Sequence, residues 1–416
     1  MKVGLLIPTL PSRSEFLDRA LIYLSRQTRQ PDQILILSES DQPLPDITWK
    51  YHQGFNKLFA DGCDCVICFE DDDAYSDVYI ETMVHEWVKS GKPDLFGIGK
   101  TIYYHIVDRK YVVLDHPARA SMMSTLVTKA VLNHSYNYHS PYLDFALWTS
   151  ALFTKKTFTP TAALCIGIKH GFGPVGGGGH QRNWAKYTHS DPQYKSLDAM
   201  LKQDAVFYKM MAVKDNYLIG RTFTHENPFL SIITRRHGQR RPKGWQVNQS
   251  SMRRLKGDFE QITITDKKGM GLHYANMSFV LACPYIRGKY VYLLDDDDLI
   301  NNPEMIPVLQ EIAEKENPDV IVFRMIIKNG MNNNLYPTEA CWRAKKPMLA
   351  HIGGSCMVVK ADVFKRHIHH FGHPKFGDFY FLDHMYKTGK LKWHWHYEIM
   401  AETGGRPSHG KVEVNI

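Results

Sequence analysis

The chain of 416 residues is 44% hydrophobic and 23% charged, which excludes wholesale disorder and, at about 150 residues per domain, suits two or three domains. Lysine and arginine outnumber aspartate and glutamate by 51 to 43, and the resulting +8 favours an acidic partner or substrate. The seven cysteines make no regular framework. Cys63, Cys65 and Cys68 include one Cys-x-x-Cys pair with no second pair at zinc spacing, so they read as buried thiols of a reducing compartment. The apolar start is broken by Pro8, Arg13 and Glu15, too soon for a signal peptide, and no run of about 18 apolar residues offers a membrane span. A soluble, cytoplasmic protein with no membrane partner is expected.

In chain order, Val3 to Ile7 is a continuous apolar run stopped by Pro8, as in a strand buried on both faces. Ser14 can cap a helix in which Phe16, Leu17, Ala20, Leu21 and Leu24 share one face. After Pro31, Gln33 to Leu37 is a second strand. A helix near Gly54 to Phe59 precedes a third strand, Cys65 to Phe69, which runs directly into Glu70-Asp71-Asp72-Asp73. This alternation predicts an α/β fold built on a doubly wound, mostly parallel, Rossmann-like sheet. Such sheets bind ligands at the carboxyl ends of their strands, where the acidic run sits. Further on, Asp144 stands at the start of a predicted helix over Phe145 to Phe153, where it can serve as an N-cap. A strand-like segment then leads to Lys169-His170 and to Gly171–Gly179, which holds six glycines and reads as an active-site loop. A helical connector including Leu197 to Met211 follows.

The second half repeats this order. Leu230 to Ile233 and Gln261 to Ile264 read as strands, Gln246 to Leu255 and Asn276 to Ala282 as helices, and Lys289 to Leu294 as a strand entering Asp295-Asp296-Asp297-Asp298. Glu70 lies 63 residues after Ile7, and Asp295 lies 62 after Ile233. Ser121 to Leu132 is similar to Ser355 to Phe364, and Pro141 to Phe145 to Pro374 to Phe379, with Asp378 opposite Asp144. A tandem duplication is expected, with domains at residues 1–227 and 228–416.

These landmarks resemble the GT-A fold of family 2 nucleotide-sugar glycosyltransferases. The resemblance rests on Pro8-Thr9 closing the first strand, on Gln27-Thr28-Arg29-Gln30-Pro31-Asp32-Gln33-Ile34, on Asn56, and on the acidic run as a DxD motif; Asn276 and Asp295–Asp298 repeat the last two. It implies a hexosyl- or N-acetylhexosaminyl-transferase that uses a nucleotide-sugar donor, such as a UDP-sugar, and a divalent cation, Mn²⁺ or Mg²⁺. It places Pro8, Thr9, Arg13, Glu39, Asn56, Glu70 and Asp71 around the donor, Asp72, Asp73 and His170 on the metal, and Asp144 as the base that deprotonates the acceptor hydroxyl. Hard oxygen donors suit either cation, and the four-residue run permits two registers of the motif. His180, Lys169 and Arg182 are further candidates near the diphosphate. In the second half Asp295, Asp297 and Asp378 would form a second acidic site, active, degenerate or acceptor-binding.

Between Arg235 and Lys256 stand eight basic residues and no acidic one. They read as a solvated face, a diphosphate site, or a grip on a polyanionic acceptor by Arg240, Arg241 and Lys243 with Trp245 available to stack. Soluble, basic, tandem enzymes of this kind also resemble viral transferases that glycosylate hydroxymethylated pyrimidines in DNA, which implies a DNA acceptor, a flipped base at Asp144 and a host-cytoplasm location. A polysaccharide or glycolipid transferase is the competing enzyme reading. A non-catalytic nucleic-acid-binding protein is the reading of another class.

Overall fold

The computed structural model describes residues 1–171, 186–237, 242–329 and 332–403. The chain forms two compact units, Met1–Ala205 and Val206–Ile416. In the first, the strands are β1 (Val3–Pro8), β2 (Gln33–Leu37), β3 (Cys65–Cys68), β4 (Ala74–Tyr75), β5 (Leu95–Ile98), β6 (Lys100–His105), β7 (Lys110–Asp115), β8 (Thr125–Val127), β9 (Lys155–Phe158), β10 (Cys165–Lys169) and β11 (His189–Ser190). Its helices are α1 (Ser14–Ser25), α2 (Ile47–Ala60), α3 (Tyr79–Lys89), α4 (Leu143–Thr149) and α5 (Lys195–Leu201). Helix α6 (Ala205–Val213) starts at the division between the units.

The second unit continues with strands β12 (Tyr217–Thr222), β13 (Leu230–His237), β14 (Phe259–Asp266), β15 (Tyr290–Leu293), β16 (Asp298–Ile300), β17 (Val320–Asn329), β18 (Asn332–Tyr336), β19 (Met357–Lys360) and β20 (Trp393–Thr403). Its helices are α7 (Pro242–Met252), α8 (Leu272–Met277), α9 (Met305–Lys315), α10 (Glu339–Ala344), α11 (Ala361–His367) and α12 (Gly377–Lys387).

Two sheets build the first unit, in the orders β2-β1-β3-β8-β5-β9 and β11-β7-β6-β10-β4. All six residues of β1 are buried because it runs parallel between β2 and β3, with α2 packed on it. Strand β2, equally apolar in sequence, is an edge, and its Ile34 and Ile36 are exposed. The sheet is mixed rather than all parallel, since β8 runs antiparallel to both β3 and β5. Leu6, Phe55, Leu58, Val66, Val127 and Trp148 belong to one buried cluster beneath it. Gly54 lets α2 approach the sheet, because a Cβ there would stand 2.4 Å from the Leu6 side chain.

The second unit has one sheet, β12-β14-β13-β15-β19-β17-β20-β16, with β18 paired to β17. Its run β14-β13-β15-β19-β17-β20 follows the order and strand senses of β2-β1-β3-β8-β5-β9. The expected Asn276–Ala282 helix is split into α8 and a 3-10 turn over Ser278–Tyr285 that contains Pro284, which lacks the amide an α-helix would need there. The expected connector helix is likewise two helices, α5 and α6, separated by a 3-10 turn at Lys202–Asp204. Asp204 there binds Arg26 at 2.6 Å and also pairs with Arg19, both on or just after α1.

Candidate active site

Strand β3 ends at Cys68, and Phe69 still bonds its amide to Leu6 of β1 before the chain turns into the acidic run. The run therefore emerges at the carboxyl edge of β1 and β3, beside Thr9. Thr9 donates to Asp71 Oδ2 at 2.6 Å. Arg13, in the turn before α1, reaches Asp71 at 2.7 Å and Asp72 at 2.6 Å with one nitrogen. His170 comes 98 residues after Asp72, yet its Nε2 lies 3.2 Å from Asp72 Oδ2, because β10 pairs antiparallel with β4, the strand that follows the run. The same pairing lets the Ile168 amide donate to Asp73 Oδ1 at 2.7 Å. Glu70 takes a 2.9 Å bond from the Tyr51 hydroxyl of α2.

Four carboxylates in one buried turn cannot all ionise at ordinary cost. Burial raises the pKa of Glu70 and of Asp73, with neighbouring carboxylates adding to it. Burial also raises Asp71, to about 7, against the opposing pull of Arg13 and the Thr9 bond. Asp72 is the exception: burial would raise it too, but Arg13, His170 and Lys169 together hold it well below the carboxylate range. For Lys169, burial favours the neutral amine, and Asp73 and Asp72 outweigh it and raise the pKa. Burial lowers the pKa of His170, with Asp72 pulling the other way.

Oxygens of Glu70, Asp72 and Asp73 lie within 4.8 Å of one another. This hard-oxygen set, with two of its three acids pushed towards protonation by burial and then by their neighbouring carboxylates, fits Mg²⁺ or Mn²⁺. The imidazole of His170 borders it.

Asp144 lies in the first turn of α4, whose N-cap is Tyr142, so Asp144 is inside the helix rather than capping it. Its carboxylate is 3.8 Å from Arg119, and burial raises its pKa. It contributes to the raised pKa of Glu70, and Lys169 acts on both, which puts Asp144 on the acidic run's side of the unit.

Other expected residues are placed differently. Glu39 is exposed just beyond β2. Asn56 is exposed on the outer face of α2, and that helix meets the site through Tyr51 instead. Lys50, also on α2, donates to the carbonyls of Thr9 and Ser38 at 2.7 and 3.1 Å and pairs with Asp46, bracing the chain after β1. Pro8 ends β1. The glycines from Gly173 to Gly179, His180, Arg182, Arg240 and Arg241 lie outside the described residues, as does the side chain of Lys243.

The second unit places Asp295–Asp298 at the matching edge, with the Leu294 amide bonded to Ile233. Where the first unit has Pro8, β13 has Arg235, whose guanidinium bonds Asp295 at 2.7 Å and Asn276 at 2.7 Å and lies over the Phe279 ring. Asn248 of α7 donates to the carbonyls of Asp295 and Asp298. Ser355 donates to Asp298 at 2.7 Å, and burial raises the Asp298 pKa. Asp378, in the first turn of α12, is raised by burial and feels both Arg235 and Asp295. Asp297 packs against Gly244, close enough that a Cβ there would be 3.0 Å away. Trp245 is half-buried with Arg236 over its ring at 4.8 Å, so one of its faces already carries a cation. Tyr51, Ser355 and Asn248 escaped the sequence reading because no motif marks them. Lys50 carried one cue, an Asp46–Lys50 spacing of four.

Residues 262–369 match the model of Glycosyl transferase family 2. Among solved structures, TarS residues 1–349 from S. aureus, in complex with UDP-GlcNAc, is similar at 9% identity and a TM-score of 0.30, over 45% of this chain and 61% of that one. TarS 1–349 without that ligand aligns at 10% identity and a TM-score of 0.32, over 42% and 60%. A197 from STIV aligns at 13% identity and a TM-score of 0.27, over 38% and 82%. The chain thus spans about three fifths of the length of the TarS structures it matches. No curated protein sequence matches it. Among the described residues, no helix is long and apolar enough to cross a membrane.

Proposed function

We propose that this chain, a glycosyltransferase of the GT-A, family 2 type by its match over residues 262–369, moves a sugar from a nucleotide-sugar to an acceptor hydroxyl, with its principal site in the first unit. The observation that carries this reading is the convergence of Glu70, Asp72 and Asp73 within 4.8 Å at the β3 edge, with His170 on Asp72 and Asp144 within electrostatic reach. Glu70, Asp72 and Asp73 would hold a divalent cation. That cation supplies Lewis-acid neutralisation of the charge that grows on the departing diphosphate. Thr9 and Arg13 position Asp71 and Asp72, and Lys169 adds fixed positive charge behind the carboxylates. Asp144 takes the proton of the acceptor hydroxyl; burial raises its pKa, which makes it a stronger base than a solvated aspartate.

A second reading has its own support. The family match covers Asp295–Asp298 and Ser355 of the second unit, so that unit is an alternative seat of transfer. Duplication of one ancestral domain is proposed from the shared strand order. For the acceptor we favour a polyanion, DNA with hydroxymethylated pyrimidines, on the excess of basic residues from Arg235 to Lys256. Arg235 is engaged by Asp295, Arg236 by Trp245 and Lys256 by Glu304, and of the five that remain, Arg240, Arg241 and Lys243 with the exposed Arg253 and Arg254, the first three are the ones this proposal assigns to the acceptor. The test is hydrolysis of a UDP-sugar panel with Mn²⁺, Mg²⁺ or excess chelator, followed by sugar transfer to hydroxymethylated or plain DNA. Full hydrolysis in chelator would overturn the metal role, and no transfer to modified DNA would overturn the acceptor.

A further inference from the structure

The second unit contains a cluster of imidazoles apart from its acidic run. His367 ends α11, His370 lies one turn on in the 3-10 segment Ile368–Phe371, and His384 lies on α12. One ring nitrogen from each of the three falls within 4.8 Å of the others. His370 and His384 stack with centroids 3.4 Å apart, and His367 stands 5.3 Å from His384. All three are half-buried, so solvent ions reach them.

Their scaffold is rigid. Phe364 of α11 and Phe371 of the 3-10 turn each pack on Phe381 of α12 at 5.8 Å, and all three phenylalanines are buried. Leu382 and Met385 bracket His384 in the same core. The His367–His370 spacing of three puts both rings on one side of their helical segment, facing α12. Three imidazoles this close repel one another when protonated, and burial lowers the pKa of His384. A neutral imidazole presents one nitrogen lone pair in its ring plane, and one nitrogen of each ring already lies within 4.8 Å of the other two. Zinc–nitrogen bonds of about 2.0–2.1 Å require such nitrogens at roughly 3.3 Å from one another, and ligation would turn the stacked His370 and His384 rings so that their in-plane lone pairs meet.

We propose that His367, His370 and His384 form a binding site for a borderline divalent transition metal of the zinc class, with water in its fourth position. Imidazole-only ligands select against Mg²⁺ and Mn²⁺, so this site is chemically distinct from the acidic run of either unit. Its occupant cross-links α11 to α12, the helix whose first turn carries Asp378.

The experiment titrates the metal-stripped full-length protein with Co²⁺ and Zn²⁺ in millimolar Mg²⁺, which saturates hard-oxygen sites. One equivalent of Co²⁺ should give visible absorption bands of a nitrogen-ligated, four- or five-coordinate ion, displaced by Zn²⁺. His370→Ala and His384→Ala should each weaken binding by about 10-fold or more, and the double variant should abolish the bands. Asp297→Ala, in the acidic run, should leave them unchanged. Bands that persist in the double variant, that vanish in Asp297→Ala, or that never form with wild type each overturn the proposal. His370→Gln, close in size and checked for folding by circular dichroism, separates lost ligation from lost structure: a folded variant that keeps wild-type affinity also overturns it.

Discussion

The two units present one sheet order and two different ways of handling four acids at its edge. In the first, Arg13 comes from the turn after β1 and ties together Asp71 and Asp72, while His170 and Lys169 arrive from β10. In the second, Arg235 sits on the strand itself, where the first unit has Pro8, and bonds the leading acid, Asp295. Ser355 and Asn248, both uncharged, bond the Asp298 carboxylate and the carbonyls of Asp295 and Asp298. The first arrangement puts a guanidinium onto the two middle acids, and the second puts one onto the first. A strand-borne arginine braced by Asn276 and Phe279 is poor at yielding its place to a metal. Equal topology therefore does not imply equal chemistry.

The largest expected difference lies in the two helix-borne aspartates. Asp144→Asn should lower transfer by about 10²–10⁴-fold, the usual worth of a general base, and Asp378→Asn much less. Equal losses of the first sugar would erase the contrast between the units. Because burial raises the pKa of Asp144 and the ionised form is the base, the rate should fall as pH drops through that raised value. A pH–rate profile should show this acid limb in wild type and lose it in Asp144→Asn.

Next comes the metal. Asp72→Ala should lower Mn²⁺-dependent donor hydrolysis by about 10²–10³-fold, comparable to removing one electrostatic stabiliser of a transition state. Asp297→Ala should leave it near wild type. If Asp297→Ala is the damaging variant, the second unit is the seat of transfer.

The arginines sharpen the comparison through stability. Arg13 is 16% exposed against partners at 2% and 5%, so Arg13→Ala strands buried charge and should cost about 3–5 kcal/mol. Arg235 faces an Asp295 that is 45% exposed, so Arg235→Ala should cost about 1 kcal/mol. Hydrogen exchange of the β1 and β3 amides, against those of β13 and β15, reads each unit separately. The smallest effect concerns the acceptor. Neutralising Arg240, Arg241 and Lys243 together should leave donor hydrolysis intact and flatten the log–log salt dependence of DNA binding, by about 0.9 for each phosphate these side chains neutralise. An unchanged slope would remove these residues from the acceptor site.

Much of this was legible in the sequence. An apolar run that ends in four acids defines both a buried strand and its ligand-binding edge, because burial on two faces requires continuous hydrophobicity and the turn beyond it does not. The doubled spacing of that pattern located a second edge. What sequence alone left undecided was direction. Gly54 packs against Leu6, and two residues along a helix is about 200°, so Asn56 points to solvent while Tyr51 reaches Glu70. Pairing of β10 with β4 delivered His170 to Asp72 across 98 residues, an approach that no local pattern encodes. The imidazole site is of the same kind. Its three histidines are scattered through a chain with 21 of them, and only the packing of α11 on α12 around Phe381 brings these three together. Periodicity is a property of neighbouring residues and survives in one dimension; helix phase and strand pairing are set by how distant surfaces fill space, and only the folded chain contains them.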